Sequence, residues 1–167
     1  MSVTEHKAQA PSSVRCVVIT VSDTRTEATD TAGRAIVELL QAAGHVMTGR
    51  TIVKDDPDLV RGTIERLLAN PDVQVIITTG GTGISSRDST YEAVSSLLQK
   101  KLDGFGELFR RLSYDQIGSA AIMSRAIAGL VVGRIVVSLP GSEAAVRRAM
   151  EQLLIPELGH LVQQAAK

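Results

Sequence analysis

The chain has 167 residues, 44% hydrophobic and 22% charged, with 18 basic and 18 acidic side chains and a formal net charge of zero. That composition describes a folded globular domain rather than a disordered segment, and the neutral balance removes the electrostatic ground for coating nucleic acid or an anionic membrane. With no Trp, two Tyr and two Phe, the core is expected from Val, Ile, Leu and Ala, and aromatic platforms for single-stranded nucleic acid are excluded.

Residues 1–13 read as a flexible polar tail without the apolar stretch of a secretory signal, and residues 14–167 as one domain. Residues 14–21 (VRCVVITV) form a nearly continuous apolar, β-branched run, the pattern of a strand buried on both faces. It contains Cys16, the only cysteine, so no internal disulfide is available and a reducing, cytoplasmic setting is expected. Asp30 is placed to cap a helix over 31–43, stopped by Gly44. A second strand is expected within 45–53. Asp55 or Asp56 can then cap a helix that begins at Pro57 and runs to Asn70-Pro71.

Residues 73–79 (VQVIITT) are a third buried-type strand, leading directly into Gly80, Gly81, Thr82 and Gly83. Ser89 and Glu92 stand at capping-box spacing before a helix over 90–98. Residues 104–124 read as one or two helices broken near Gly118. Residues 127–132 and 135–139 form a hairpin turning at Gly133-Arg134. Pro140, Gly141 and Ser142 make a loop, with Ser142 capping a last helix over 143–161 that is kinked at Pro156. Alternating strands and helices of this kind predict a three-layer α/β sandwich with a mostly parallel central sheet. Ligands of such sheets bind beyond the carboxyl ends of the strands. The rule selects four loops: 22–24, 55–58, 80–89 and 140–142.

The sharpest of these is TTGGTGISSRD, residues 78–88. Its glycines leave backbone N–H groups unshielded, and with the Thr82, Ser85 and Ser86 hydroxyls they can cradle a phosphate. The loop lacks the Lys of a P-loop and the spacing of a dinucleotide fold. Asp55 and Asp88 both follow strands, and two carboxylates at one cleft suit Mg²⁺ completed by water and substrate phosphate. By spacing alone, a helix cap and a turn are the commoner roles for these two residues. His6, His45 and His160 have no partner at metal-ligand spacing, and Cys16 reads as a buried inert thiol.

Six blocks in order, TVSD (20–23), VKDD (53–56), TTGGTGISSRD (78–88), DGFGELFR (103–110), MSRAIAG (123–129) and SLPGS (138–142), resemble the MoaB/MogA family of molybdopterin-binding domains, over residues 14–158. The compact form, without extra insertions, is similar to the MoaB branch more than to the MogA branch. The resemblance implies a three-layer fold and adenylylation of molybdopterin by MgATP, with ATP as co-substrate and Mg²⁺ as cofactor, giving adenylyl-molybdopterin and pyrophosphate. It implies that Asp55 and Asp88 are the essential acidic positions, serving catalysis and the metal. It places Gly80, Gly81, Thr82 and Gly83 at the pterin phosphate, with Ser22, Asp23, Glu107, Ser124, Pro140, Gly141 and Ser142 in the same pocket. Relatives are commonly homotrimers, sometimes hexamers, and no nucleic-acid or membrane partner is expected. Tyr91 departs from the pattern, standing where many relatives carry Pro. Two other readings remain open: a non-catalytic molybdopterin carrier or scaffold, and a generic nucleotide-binding module that takes ATP without molybdopterin.

Overall fold

The computed structural model describes all 167 residues. In chain order the elements are α1 (Val3–Gln9), β1 (Arg15–Val21), α2 (Thr31–Ala42), β2 (Val46–Val53), α3 (Pro57–Leu68), β3 (Val75–Thr79), α4 (Thr90–Leu97), β4 (Lys100–Lys101), α5 (Asp103–Ile117), β5 (Ile127–Val131), β6 (Arg134–Leu139), α6 (Glu143–Ala149) and α7 (Ile155–Ala165). A 3₁₀ turn, Gly118–Met123, follows α5, and a π turn, Met150–Leu154, joins α6 to α7.

The strands form one sheet in the order β2-β1-β3-β6-β5-β4. β1 pairs parallel with β2 and β3, and β3 with β6, while the β5–β6 and β4–β5 pairings are antiparallel. This is the three-layer, mostly parallel architecture expected from the sequence. Alternate residues of the buried strands feed two cores. Cys16, Val18, Val75 and Ile77 pack with Ile36, Leu40, Val146 and Leu158 of α2, α6 and α7. Val17, Ile19 and Ile76 pack with Val60, Ile64 and Val94 of α3 and α4. Period-two alternation with both faces covered is why these strands read as continuous apolar runs. Burial pushes the Cys16 thiol up to about 12, which leaves it an inert packing group. No helix is long and apolar enough to cross a membrane.

Several local expectations change. Residues 3–9, read as tail, form helix α1 because Ser2 and Glu5 make a reciprocal capping box, with N···O distances of 3.2 and 2.6 Å. A seven-residue helix does not stand alone in water. This one docks on α7 through a His6–His160 ring stack at 5.9 Å and a Gln163 Nε2 bond to the Gln9 carbonyl. The kink expected at Pro156 takes the form of the preceding π turn, in which the Ile155 N–H reaches back to the Met150 carbonyl. Pro156 has no N–H to offer the turn before it. The β5–β6 hairpin turns at Val132-Gly133, one residue ahead of the expected position.

Asp30 fixes the start of α2 beneath the loop that follows β1. It is almost fully buried, and its Oδ1 accepts from the Gly33 N–H at 3.0 Å. Its Oδ2 accepts from Thr20 Oγ1 at 2.6 Å and Arg50 Nη2 at 2.9 Å, so one carboxylate joins β1, α2 and β2. Burial alone would raise its pKa. The Thr20, Arg50 and Gly33 bonds outweigh that and hold the carboxyl below the usual range. The stabilisation is therefore complete above the unfolded value of about 3.9 and is lost as pH falls through the lower folded value. Asp30→Ala is expected to cost at least about 1.5–3 kcal/mol near neutrality. In urea unfolding across a pH series, the gap between variant and parent narrows below about pH 4; an undiminished gap at about pH 2.5 would contradict the assignment.

Candidate functional site

The strand order reverses between β1 and β3, since β1 continues to β2 on one side and β3 leads toward β6 on the other. The parallel register aligns Thr20 with Thr79 and Thr79 with Leu139, so β1, β3 and β6 end at one level. Three of the four loops selected from the sequence open at this switch point, where an α/β sheet has a natural crevice.

The glycine loop is wedged into that crevice. The Gly80 N–H donates to the Leu139 carbonyl at 3.0 Å. Gly80 has φ 99°, and a Cβ there would stand 2.3 Å from the Val21 carbonyl oxygen. Gly81 has φ 69°, and a Cβ there would stand 2.1 Å from Thr90 Oγ1. Only glycine fits both positions. Beyond them, the N–H groups of Gly81, Thr82, Gly83 and Ile84 donate to no acceptor in the chain. A row of four consecutive amides without an acceptor is the kind of donor set that can receive an anion.

A cleft of about 380 Å³ lies against this loop. Of the residues expected at the site, Gly81, Thr82, Gly83, Asp88, Ser124, Pro140, Gly141 and Ser142 line it. Ser142 also caps α6, its Oγ accepting from the Ala145 N–H at 3.2 Å. Gly80, Asp55 and Asp23 do not line the cleft. Asp55 is 8% exposed, and its Oδ1 accepts from the Ser89 N–H at 3.3 Å and Ser89 Oγ at 2.8 Å. The expected capping box at Ser89 does not form, because Ser89 turns to Asp55 and Glu92 turns to Arg125. Asp56 takes the cap of α3, accepting from Asp58 and Leu59 N–H groups, which leaves Asp55 for the loop.

Asp23 fastens three loops together. Its Oδ1 accepts from the Asp55 N–H at 3.1 Å and its Oδ2 pairs with Arg87 at 2.7 Å. The Arg87 hydrogen bond foremost, then the Asp55 amide, holds its carboxyl below the usual range. Ser22 closes a local turn, its Oγ accepting from the Thr24 and Arg25 N–H groups. Glu107 is exposed on α5 and does not line the cleft. The cleft-facing residues of that helix are Phe109, Ser113 and Ile117, and Glu107 is turned about 200° from Phe109.

Sequence reasoning did not find Ser113 or Arg148. Ser113 is 2% exposed and its Oγ has no partner, as is also true of the sealed Ser124 Oγ on the same cleft. A buried polar group left unpaired costs about 1–3 kcal/mol, so both hydroxyls favour a ligand that completes them. Arg148 lines the cleft without a carboxylate, whereas neighbouring Arg147 pairs with Glu143. The available signal for Ser113 was a serine at i+4 between Phe109 and Ile117 on one helix face. Arg148 sits in no motif.

No group of three or more His, Cys, Asp or Glu side chains stands together to hold a metal. Two carboxylates beside the loop each keep an oxygen free. Asp55 Oδ2 has no hydrogen-bond donor and would stand 2.9 Å from a Cβ on Gly81, and Asp88 uses Oδ2 for Ser85 while Oδ1 is unengaged. A carboxylate oxygen of this kind is a donor that Mg²⁺ takes alongside phosphates and water, and of the two residues Asp88 lines the cleft.

The family described as a probable molybdopterin binding domain matches residues 17–160. The chain is 54% identical to molybdenum cofactor biosynthesis protein B of Bacillus anthracis over 162 residues, 96% of each chain. It superimposes on a crystal structure of molybdenum cofactor biosynthesis protein B with a TM-score of 0.90 at 51% identity, covering 94% of this chain and 98% of that one. It is also similar to the tungsten cofactor synthesizing protein MoaB of Pyrococcus furiosus, with a TM-score of 0.83, 36% identity and coverage of 95% and 100%. A profile spanning most of the chain and full-length identity near one half leave a single conclusion: the chain belongs to the MoaB/MogA family of molybdenum cofactor biosynthesis proteins and carries their molybdopterin-binding domain.

Proposed function

We propose that the chain transfers AMP from MgATP to the terminal phosphate of molybdopterin, yielding adenylyl-molybdopterin and pyrophosphate. The observation that supports this most directly is the run of four unengaged amides, 81–84, flanked by two carboxylates that each keep a free oxygen. The amides and the Ser124 and Ser142 hydroxyls hold the pterin phosphate. One of its oxygens attacks the α-phosphorus of ATP, forming the new P–O bond, while the bond to the bridging oxygen breaks and pyrophosphate leaves with the electron pair. Fixed backbone donors need no reorganisation as charge shifts between the phosphates, which is where such sites gain their rate. Asp55 and Asp88 would orient the metal–nucleotide complex through the oxygen that each leaves free. Bound Mg²⁺ supplies charge neutralisation to the polyphosphate.

Asp55→Asn and Asp88→Asn keep the shape and an acceptor oxygen for Ser89 and Ser85 but remove the charge. Each is expected to lower turnover about 100-fold or more, read as pyrophosphate release and formation of the adenylylated product. Near-normal turnover in both would remove the assignment. A carrier reading is favoured by one feature, that each carboxylate also has a structural task in closing its loop. It predicts molybdopterin binding without pyrophosphate release.

The unpaired Arg148 and the orphaned Ser113 hydroxyl contribute binding to the anionic substrate. Arg148→Gln is expected to weaken molybdopterin affinity about tenfold or more, measured by equilibrium titration; an unchanged affinity would leave Arg148 outside the site. The cytoplasm is the compartment in which this reading places the reaction. The chain also assembles as a homotrimer, in this proposal, through the apolar groove of Phe105, Leu108, Leu153 and Leu161, where Leu108 is 56% exposed. Light scattering at micromolar concentration is expected to give three times the 17.7 kDa chain mass, and a monomer mass would contradict it.

A further inference from the structure

The amides of the glycine loop can receive an anion only if the loop's carbonyls are turned the other way, and one side chain is placed to do this. Arg125 follows Ser124 on the segment that leads into β5. Its Nε donates to the Thr82 carbonyl at 3.1 Å and its Nη2 to the Gly83 carbonyl at 2.5 Å. The guanidinium is itself held from two directions by α4. Glu92 pairs with it, and the Tyr91 ring lies beneath it with the guanidinium carbon 5.0 Å from the ring centroid. The Arg125 hydrogen bond foremost keeps the Glu92 carboxyl below its usual range. From Thr82 to Ile84 the loop makes no other hydrogen bond to the chain.

We infer that Arg125 is the positioning residue of the phosphate cradle. A trans peptide is planar, with its C=O and the following N–H antiparallel. Gripping the Thr82 carbonyl therefore turns the Gly83 N–H away from Arg125, and gripping the Gly83 carbonyl turns the Ile84 N–H away. These are two of the four amides without an acceptor. The two bonds need a rigid fork with donors at fixed separation, which a guanidinium has and an ammonium lacks. Arg125 also ties the loop to its own neighbour Ser124, which lines the same cleft. Tyr91 supplies the flat face on which the fork rests. The anion class is a phosphate monoester or inorganic phosphate. The inference rests on the reading of the glycine loop as a phosphate site.

The test is a titration of the full-length chain with inorganic phosphate, followed by the ¹H–¹⁵N resonances of Gly83 and Ile84, in the parent, Arg125→Lys and Arg125→Met. In the parent both resonances are expected to shift with phosphate. In Arg125→Lys, which keeps the charge, the affinity is expected to fall about tenfold while the resonances of the β1 and β3 core stay in place. Equal response in parent and Arg125→Lys would overturn the positioning role and reduce Arg125 to a charge. If Arg125→Met does not fold, Glu92→Gln, which removes the ionised partner at the surface, is expected to weaken phosphate binding in the same direction, and unchanged binding there counts against the inference. No response at Gly83 and Ile84 in the parent would overturn the phosphate reading itself, and the inference with it. In the adenylylation assay at equal concentrations of folded enzyme, the Lys variant is expected to lower kcat/KM for molybdopterin about tenfold or more while KM for ATP stays near the parent value, a split that a general loss of stability would not produce.

Discussion

Parallel pairing of β1, β3 and β6 is the constraint on which the site depends. Because Thr20, Thr79 and Leu139 share one level, the chain leaves the sheet three times at one place and must turn each time within a few residues. The Gly80 amide bonds to Leu139, and the backbone of Val21 stands where a Gly80 side chain would be. The glycine loop is therefore shaped by the ends of its neighbouring strands, and its amides are left over once the sheet is complete.

Acidic residues then divide their work by position. Asp30 joins β1 to α2 and β2 below the crevice. Asp23 links the loops after β1, β2 and β3. Asp56 caps α3, and Asp55 is left to hold Ser89 with one oxygen while presenting the other beside Gly81. The two buried ones, Asp30 and Asp55, need their donors, because a buried carboxylate without them would carry a large desolvation penalty. A neutral protein can in this way gather several carboxylates about one crevice, anchored by backbone amides, hydroxyls or an arginine.

Much of the fold was legible because its signals are local. Continuous β-branched runs marked β1 and β3, Asp30 and Ser142 marked helix starts, and Gly-Gly-Thr-Gly marked the cradle. The capping box at Ser2 was equally local, yet α1 also needs α7 to dock against, and that contact is invisible in a seven-residue stretch. At Ser89 the local signal misled: capping-box spacing was present, but Asp55 and Arg125 offered its two residues charged partners from far along the chain. Charge-assisted bonds of this kind outcompete a neutral cap.

The amino-acid sequence by itself determined the layer architecture, the loops at the crevice and the glycines of loop 80–83, since each rests on composition or spacing within a few residues, and it determined the family through six short blocks in order along the chain. Tertiary structure alone decided which aspartate caps and which faces the loop, that Glu107 points away, that Ser113 and Arg148 line the cleft, and that Arg125 grips the carbonyls of the glycine loop. The reason is separation along the chain: Arg125 meets Gly83 across 42 positions and Ser89 meets Asp55 across 34, distances over which side-chain spacing in the sequence holds no information about contact.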